Sequence, residues 1–95
     1  MSEKEIRIDE IGGNCPVQAE GLIDGAPFYF RARGSRWSLS VGGADVIGAP
    51  QFYHEEPYGD GQFDAGWMEE AEARAFIEKG AGLYRVALAG PAPDA

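Results

Sequence analysis

The chain has 95 residues, 44% of them apolar and 12% aromatic, which is enough for one modest core and too apolar for a disordered segment. Its net charge of −8 at pH 7 disfavours phosphate backbones and anionic lipid as partners. No apolar run approaches the length of a membrane span, the opening MSEKEIRIDE is too charged for a signal peptide, and the one cysteine, Cys15, has no internal disulfide partner, so a soluble cytoplasmic protein is expected.

The first half alternates with period two, as half-buried strands do. Glu5 to Asp9 sets Ile6 and Ile8 on one face against Arg7 and Asp9, and Val17 to Ile23 sets Val17, Ala19, Gly21 and Ile23 on one side. The stretch DGAP, Asp24 to Pro27, is turn chemistry. Phe28 to Arg33 then alternates Phe28, Phe30 and Ala32 against Tyr29, Arg31 and Arg33. After a turn at Gly34 to Arg36, Trp37, Leu39 and Val41 face in while Ser38 and Ser40 face out. Short turns between consecutive strands predict an antiparallel meander with one solvated face.

Gly42 to Pro50 reads as a loop, and Gln51 to Glu55 as either a short edge strand or more loop. Near Met68 the period becomes helical, with Phe76, Ile77, Leu83, Tyr84, Ala87 and Leu88 at helix-face spacing and Gly80 on the same side. Glu69, Glu70 and Glu72 fall in the first turns, where the helix dipole favours negative charge, and Gly80 and Gly82 admit a break near Lys79. The expected fold is α+β: an antiparallel three- to four-stranded meander with one C-terminal helix packed on the sheet. Residues 1–90 form the single domain, and residues 91–95 are expected to be a disordered tail.

The charge is unevenly placed. Trp37 to Ala73 holds eight acids and no Lys or Arg, while the other eight acids are matched by all eight bases. Within it, HEEPYGDGQFDAGWMEEAE, His54 to Glu72, carries seven carboxylates. Phe52, Tyr53, Tyr58, Phe63 and Trp67 are threaded through the same region, more aromatics than solubility requires, and exposed aromatics beside charges are enriched in binding surfaces. The candidate partner-binding residues are Glu55, Glu56, Asp60, Asp64, Glu69, Glu70 and Glu72, with Tyr53, Tyr58 and Trp67 as anchors. The partner they imply is a basic surface of a protein or nucleoprotein complex. A row of such carboxylates could imitate part of a DNA duplex, which presents one charge per about 1.7 Å of axis.

Other chemistries are less well supplied. Cys15 and His54 are the only thiol and the only imidazole, so a small enzyme or metal-dependent module centred on them is an alternative. The acids after His54 lack the spacing of a calcium loop, zinc would need further His or Cys, and no cofactor is implied. A carboxylate pair for glycoside chemistry would need a cleft that a domain this small has little room to form. FYFRARGSRW sends Phe28 and Phe30 inward, leaving Tyr29, Arg31 and Arg33 outside, so it does not make an RNA-binding sheet, and its arginines are expected to neutralise acids on neighbouring strands such as Glu20 or Asp9. A homo-oligomeric structural protein, self-associating through the sheet face or an edge strand, is a further alternative.

The stretches CPVQAEGLIDGAPFYFRARGSRWSLSVGG and YGDGQFDAGWMEEAEARAFI resemble a group of small uncharacterised bacterial and phage-associated proteins. That resemblance brings no activity and no residue roles. In size and acidity, and in the phage association that this resemblance implies, the chain is also similar to anti-CRISPR and anti-restriction inhibitors. This second similarity implies a stoichiometric inhibitor with no active site, engaging a nuclease complex or its DNA groove.

Overall fold

The structure, a computed structural model, describes residues 5–14, 16–59, 65 and 68–89. The alternating segments become β1 (Ile6–Gly12), β2 (Val17–Ile23), β3 (Ala26–Arg33) and β4 (Arg36–Val41), followed by β5 (Phe52–Pro57) and α1 (Glu70–Ala89). All neighbours pair antiparallel in the order β1-β2-β3-β4-β5, so the α+β meander expected from the sequence forms. Among the described residues it has five strands rather than three or four. The additional strand is β5, whose Phe52 and His54 pair with Val41 and Leu39 and so extend the inner face of β4. The domain limit at residue 90 and the tail 91–95 lie outside the described residues.

Local chemistry sets each junction. Asp24 and Gly25 both have positive φ, 53° and 86°, the signature of a type I′ turn, whose twist suits a two-residue hairpin. Gly supplies that geometry freely, and Asp is among the few other residues that tolerate it. The carboxylate of Asp24 then reaches away from the sheet to Arg85 of α1 at 2.8 Å.

The inner face of the sheet buries Val17, Ala19, Ile23, Phe28, Phe30, Ala32, Trp37, Leu39 and Val41. Against it α1 lays Ala73, Ile77, Gly80, Ala81 and Tyr84. Helix and strand run in step. Positions 76, 80 and 84 rise by about 6 Å per step, close to the spacing of about 7 Å between residues 37, 39 and 41 of β4. Phe76 therefore stacks on Trp37 at 4.9 Å, Gly80 sits on Leu39, and Tyr84 meets Phe52, the partner of Val41, at 5.6 Å.

Two helix expectations are corrected by this packing. No break occurs at Lys79, because α1 runs unbroken for 20 residues and the missing side chain of Gly80 is what seats the helix on the sheet. A Cβ there would stand 2.5 Å from Leu39 Cδ2. The buried stripe also omits Leu83, Ala87 and Leu88, which are exposed. The small residues Ala73, Gly80 and Ala81 permit a close approach that the bulkier side chains would prevent. No helix among the described residues is long and apolar enough to cross a membrane.

Trp37 is the largest fully buried side chain among the described residues, stacked between Phe30 at 5.8 Å and Phe76 at 4.9 Å. Its indole N–H has no hydrogen-bond partner among the described residues. An orphaned donor costs about 1–3 kcal/mol. Burying a ring of this size gains about 4–6 kcal/mol at about 25 cal/mol/Å², so packing prevails over the unmet bond.

Candidate interaction surface

The candidate acids among the described residues lie in β5 and at the start of α1, and the pleat of β5 divides those of the strand. Tyr53 and Glu55 point to the outer face of the sheet, while His54 and Glu56 point to the side that α1 covers. Adjacent carboxylates in HEEP thus face opposite ways. Glu55 accepts a hydrogen bond from the Tyr53 hydroxyl at 2.8 Å and pairs with Arg36 Nη1 at 3.0 Å. Desolvation holds the Tyr53 hydroxyl above its ordinary pKa, helped by its bond to Glu55 and opposed by Ser38.

Glu56 lies between two donors. His54 Nε2 is 2.8 Å from one of its oxygens, and Lys79 Nζ of α1 is 2.9 Å from the other. The His54 hydrogen bond, then that of Lys79, pulls the Glu56 carboxyl below its ordinary pKa against the opposing effect of burial. His54 itself rests beside Trp37 and Phe52, with ring centres at 5.7 and 6.5 Å. Glu56 therefore fastens the edge strand to the helix, and its charge is committed within the fold.

At the far end of β5, the Tyr58 hydroxyl donates to Glu72 at 2.6 Å, and its ring meets Phe76 edge-on at 5.8 Å. This contact brings the end of the strand to the first turn of the helix. Glu69 and Glu70 are exposed there. The carbonyl of Glu69 accepts the amide of Ala73, and Glu70 pairs with Arg74 one turn on at 2.9 Å. The first turn of α1 is acidic at Glu70 and Glu72, where the unpaired N–H groups of a helix start favour negative charge.

The structure thus brings Tyr58, Glu69, Glu70 and Glu72 to one end of the molecule, with Tyr53 and Glu55 on the adjoining outer face. It turns Glu56 inward. Asp60, Asp64 and Trp67 lie outside the described residues, as does Cys15, the other half of the considered Cys/His pair. Among the described residues, no group of three or more His, Cys, Asp or Glu side chains is placed to hold a metal ion.

Of the three arginines in FYFRARGSRW, Arg36 meets the expectation by pairing with an acid of the neighbouring strand, and Arg31 and Arg33 depart from it. Arg36 neutralises Glu55 and Arg7 takes Asp9. Arg31 and Arg33 pair with neither Glu20 nor Asp9, since strand register sets Arg31 beside the uncharged Gln18 and Ser38. That outward cluster is visible in the alternation of FYFRAR, but its lack of ion-pair partners among the described residues depends on register. No protein-family model, curated protein or solved structure matches this chain.

Proposed function

We propose that the protein is a small non-enzymatic interaction module that engages a basic surface of a protein or nucleoprotein complex through the end of the molecule where β5 meets α1. Its most concrete form is a stoichiometric inhibitor of a nucleic-acid-binding complex, in the manner of phage-encoded inhibitors. The observation that supports this reading is the exposure of Glu55, Glu69, Glu70 and Glu72 in a stretch that contains no base. The ion pairs Glu55 and Glu70 make are solvent-facing, worth about 0–1 kcal/mol each, and so are readily exchanged for a partner's Lys or Arg. Tyr53, 55% exposed beside Glu55, supplies the aromatic contact that such interfaces favour.

The test is a variant with Glu55, Glu69, Glu70 and Glu72 all changed to Gln, leaving Glu56 in place because it fastens β5 to α1. Wild type and variant are compared as inhibitors of purified bacterial nuclease complexes and as baits in host lysate at low and high salt. The reading requires that wild type bind or inhibit a nucleic-acid-handling complex, that added salt weaken the effect, and that the variant lose it while keeping its melting temperature. Equal behaviour of the two chains would exclude the acidic surface as the recognition element.

A further inference from the structure

On the sheet face turned away from α1, the β3–β4 hairpin gathers Arg31, Arg33 and Arg36. Arg33 stands directly across from Arg36 in the register, and like charges at opposed positions of an antiparallel pair destabilise it. Arg36 is relieved by Glu55 at 3.0 Å. Arg31 and Arg33 make no ion pair among the described residues. That is an odd outcome for a chain carrying an excess of eight negative charges. The three guanidinium groups, with Ser38, Tyr53 and Glu55, line an open depression of about 340 Å³. That is within the size range of small-molecule sites.

We propose that this depression binds the dianionic phosphate group of a small phosphate monoester. Among the described residues that line it, three arginines against one glutamate leave a surplus of two positive charges. A monoester phosphate carries about −1.5 to −2 at neutral pH, which matches that surplus, whereas a carboxylate or one phosphodiester link supplies a single charge. Arg is the residue suited to such a group, because its planar guanidinium fork can bind phosphate oxygens in bidentate fashion. The Ser38 side chain lies across from Arg31 on the same face. The exposed ring of Tyr53 offers a flat apolar wall to the organic part of the ester. A long nucleic acid would extend beyond the depression into the field of the acidic remainder, which favours a small ligand over a strand.

The experiment titrates phenyl phosphate into the purified chain and follows the backbone amide resonances and the heat of binding. Parallel titrations use inorganic phosphate, benzoate and a single-stranded oligonucleotide. Saturable binding centred on β3 and β4 is expected, with benzoate and the oligonucleotide at least tenfold weaker and inorganic phosphate no tighter than the ester. The double variant R31S/R33S should lose tenfold or more in affinity while its amide spectrum elsewhere stays that of the fold, and Glu55→Gln, which frees Arg36, should bind more tightly. The proposal is overturned if phenyl phosphate does not bind, if benzoate equals it, if the oligonucleotide binds better, or if R31S/R33S binds like wild type.

Discussion

Arg85 grips the carboxylate of Asp24 with two charge-assisted hydrogen bonds of 2.8 Å each, across a separation of 61 residues. Both side chains are largely shielded, at 29% and 16% exposure, so the pair is screened less than an ordinary surface bridge. The carboxylate holds the guanidinium above its ordinary pKa, chiefly through these hydrogen bonds and despite partial burial. Asp24→Asn keeps a residue that tolerates the left-handed turn while removing the charge. It should cost about 1.5–3 kcal/mol, the usual range for hydrogen bonds to charged groups. Arg85→Met should cost a similar amount, and the double variant scarcely more than either alone in urea unfolding. Additive losses would mean that the two residues act separately.

The two helix glycines should respond oppositely to the same change. At Gly82 an added methyl meets nothing within 4 Å, so Gly82→Ala should gain about 0.5–1 kcal/mol from helix propensity. At Gly80 the methyl is driven onto buried Leu39, and overpacking of about 1–3 kcal/mol should cancel or exceed that gain. Thermal melts of the two single variants decide it. A stabilised Gly80→Ala would mean that the helix does not sit this close to β4.

Acid should weaken the junction that Glu56 makes between β5 and α1. The folded pKa lies below the ordinary carboxylate value of 4.5, so the stability it adds is present above that value and is lost as pH falls through the folded pKa. Urea midpoints measured from neutral pH to about pH 3 should fall less steeply for Glu56→Gln than for wild type. The variant should start lower at neutral pH and meet wild type in acid. Parallel curves would remove Glu56 from the pH response.

Much of the sheet could be read from residue order because its signals are local. Period-two alternation marked β2, β3 and β4, and Asp24-Gly25 marked their first turn. β5 was ambiguous because its inner face carries His54 and Glu56, which look like surface residues until Trp37 and Lys79 are beside them. Because the sequence leaves that strand ambiguous, the opposite orientation of Glu55 and Glu56 is hidden in it as well. Ser40 faces outward as expected yet is 4% exposed, because its register neighbours are Tyr29 and Tyr53. Gly80 illustrates the same difficulty in the helix. Propensity alone marks it as a weak point, and only the position of Leu39 explains its use.

The nearest-neighbour order of the strands also bears on how quickly the chain finds its fold. Each hairpin closes between segments adjacent in sequence, so the sheet is assembled from short-range encounters, which favours rapid folding. The bridge from Arg85 back to Asp24 closes a much longer loop and is available only once α1 has docked. Arg85→Met should therefore leave the refolding limb of a stopped-flow chevron nearly unchanged and shift its unfolding limb upward. The bridge would then act as a latch, governing how long the helix stays on the sheet.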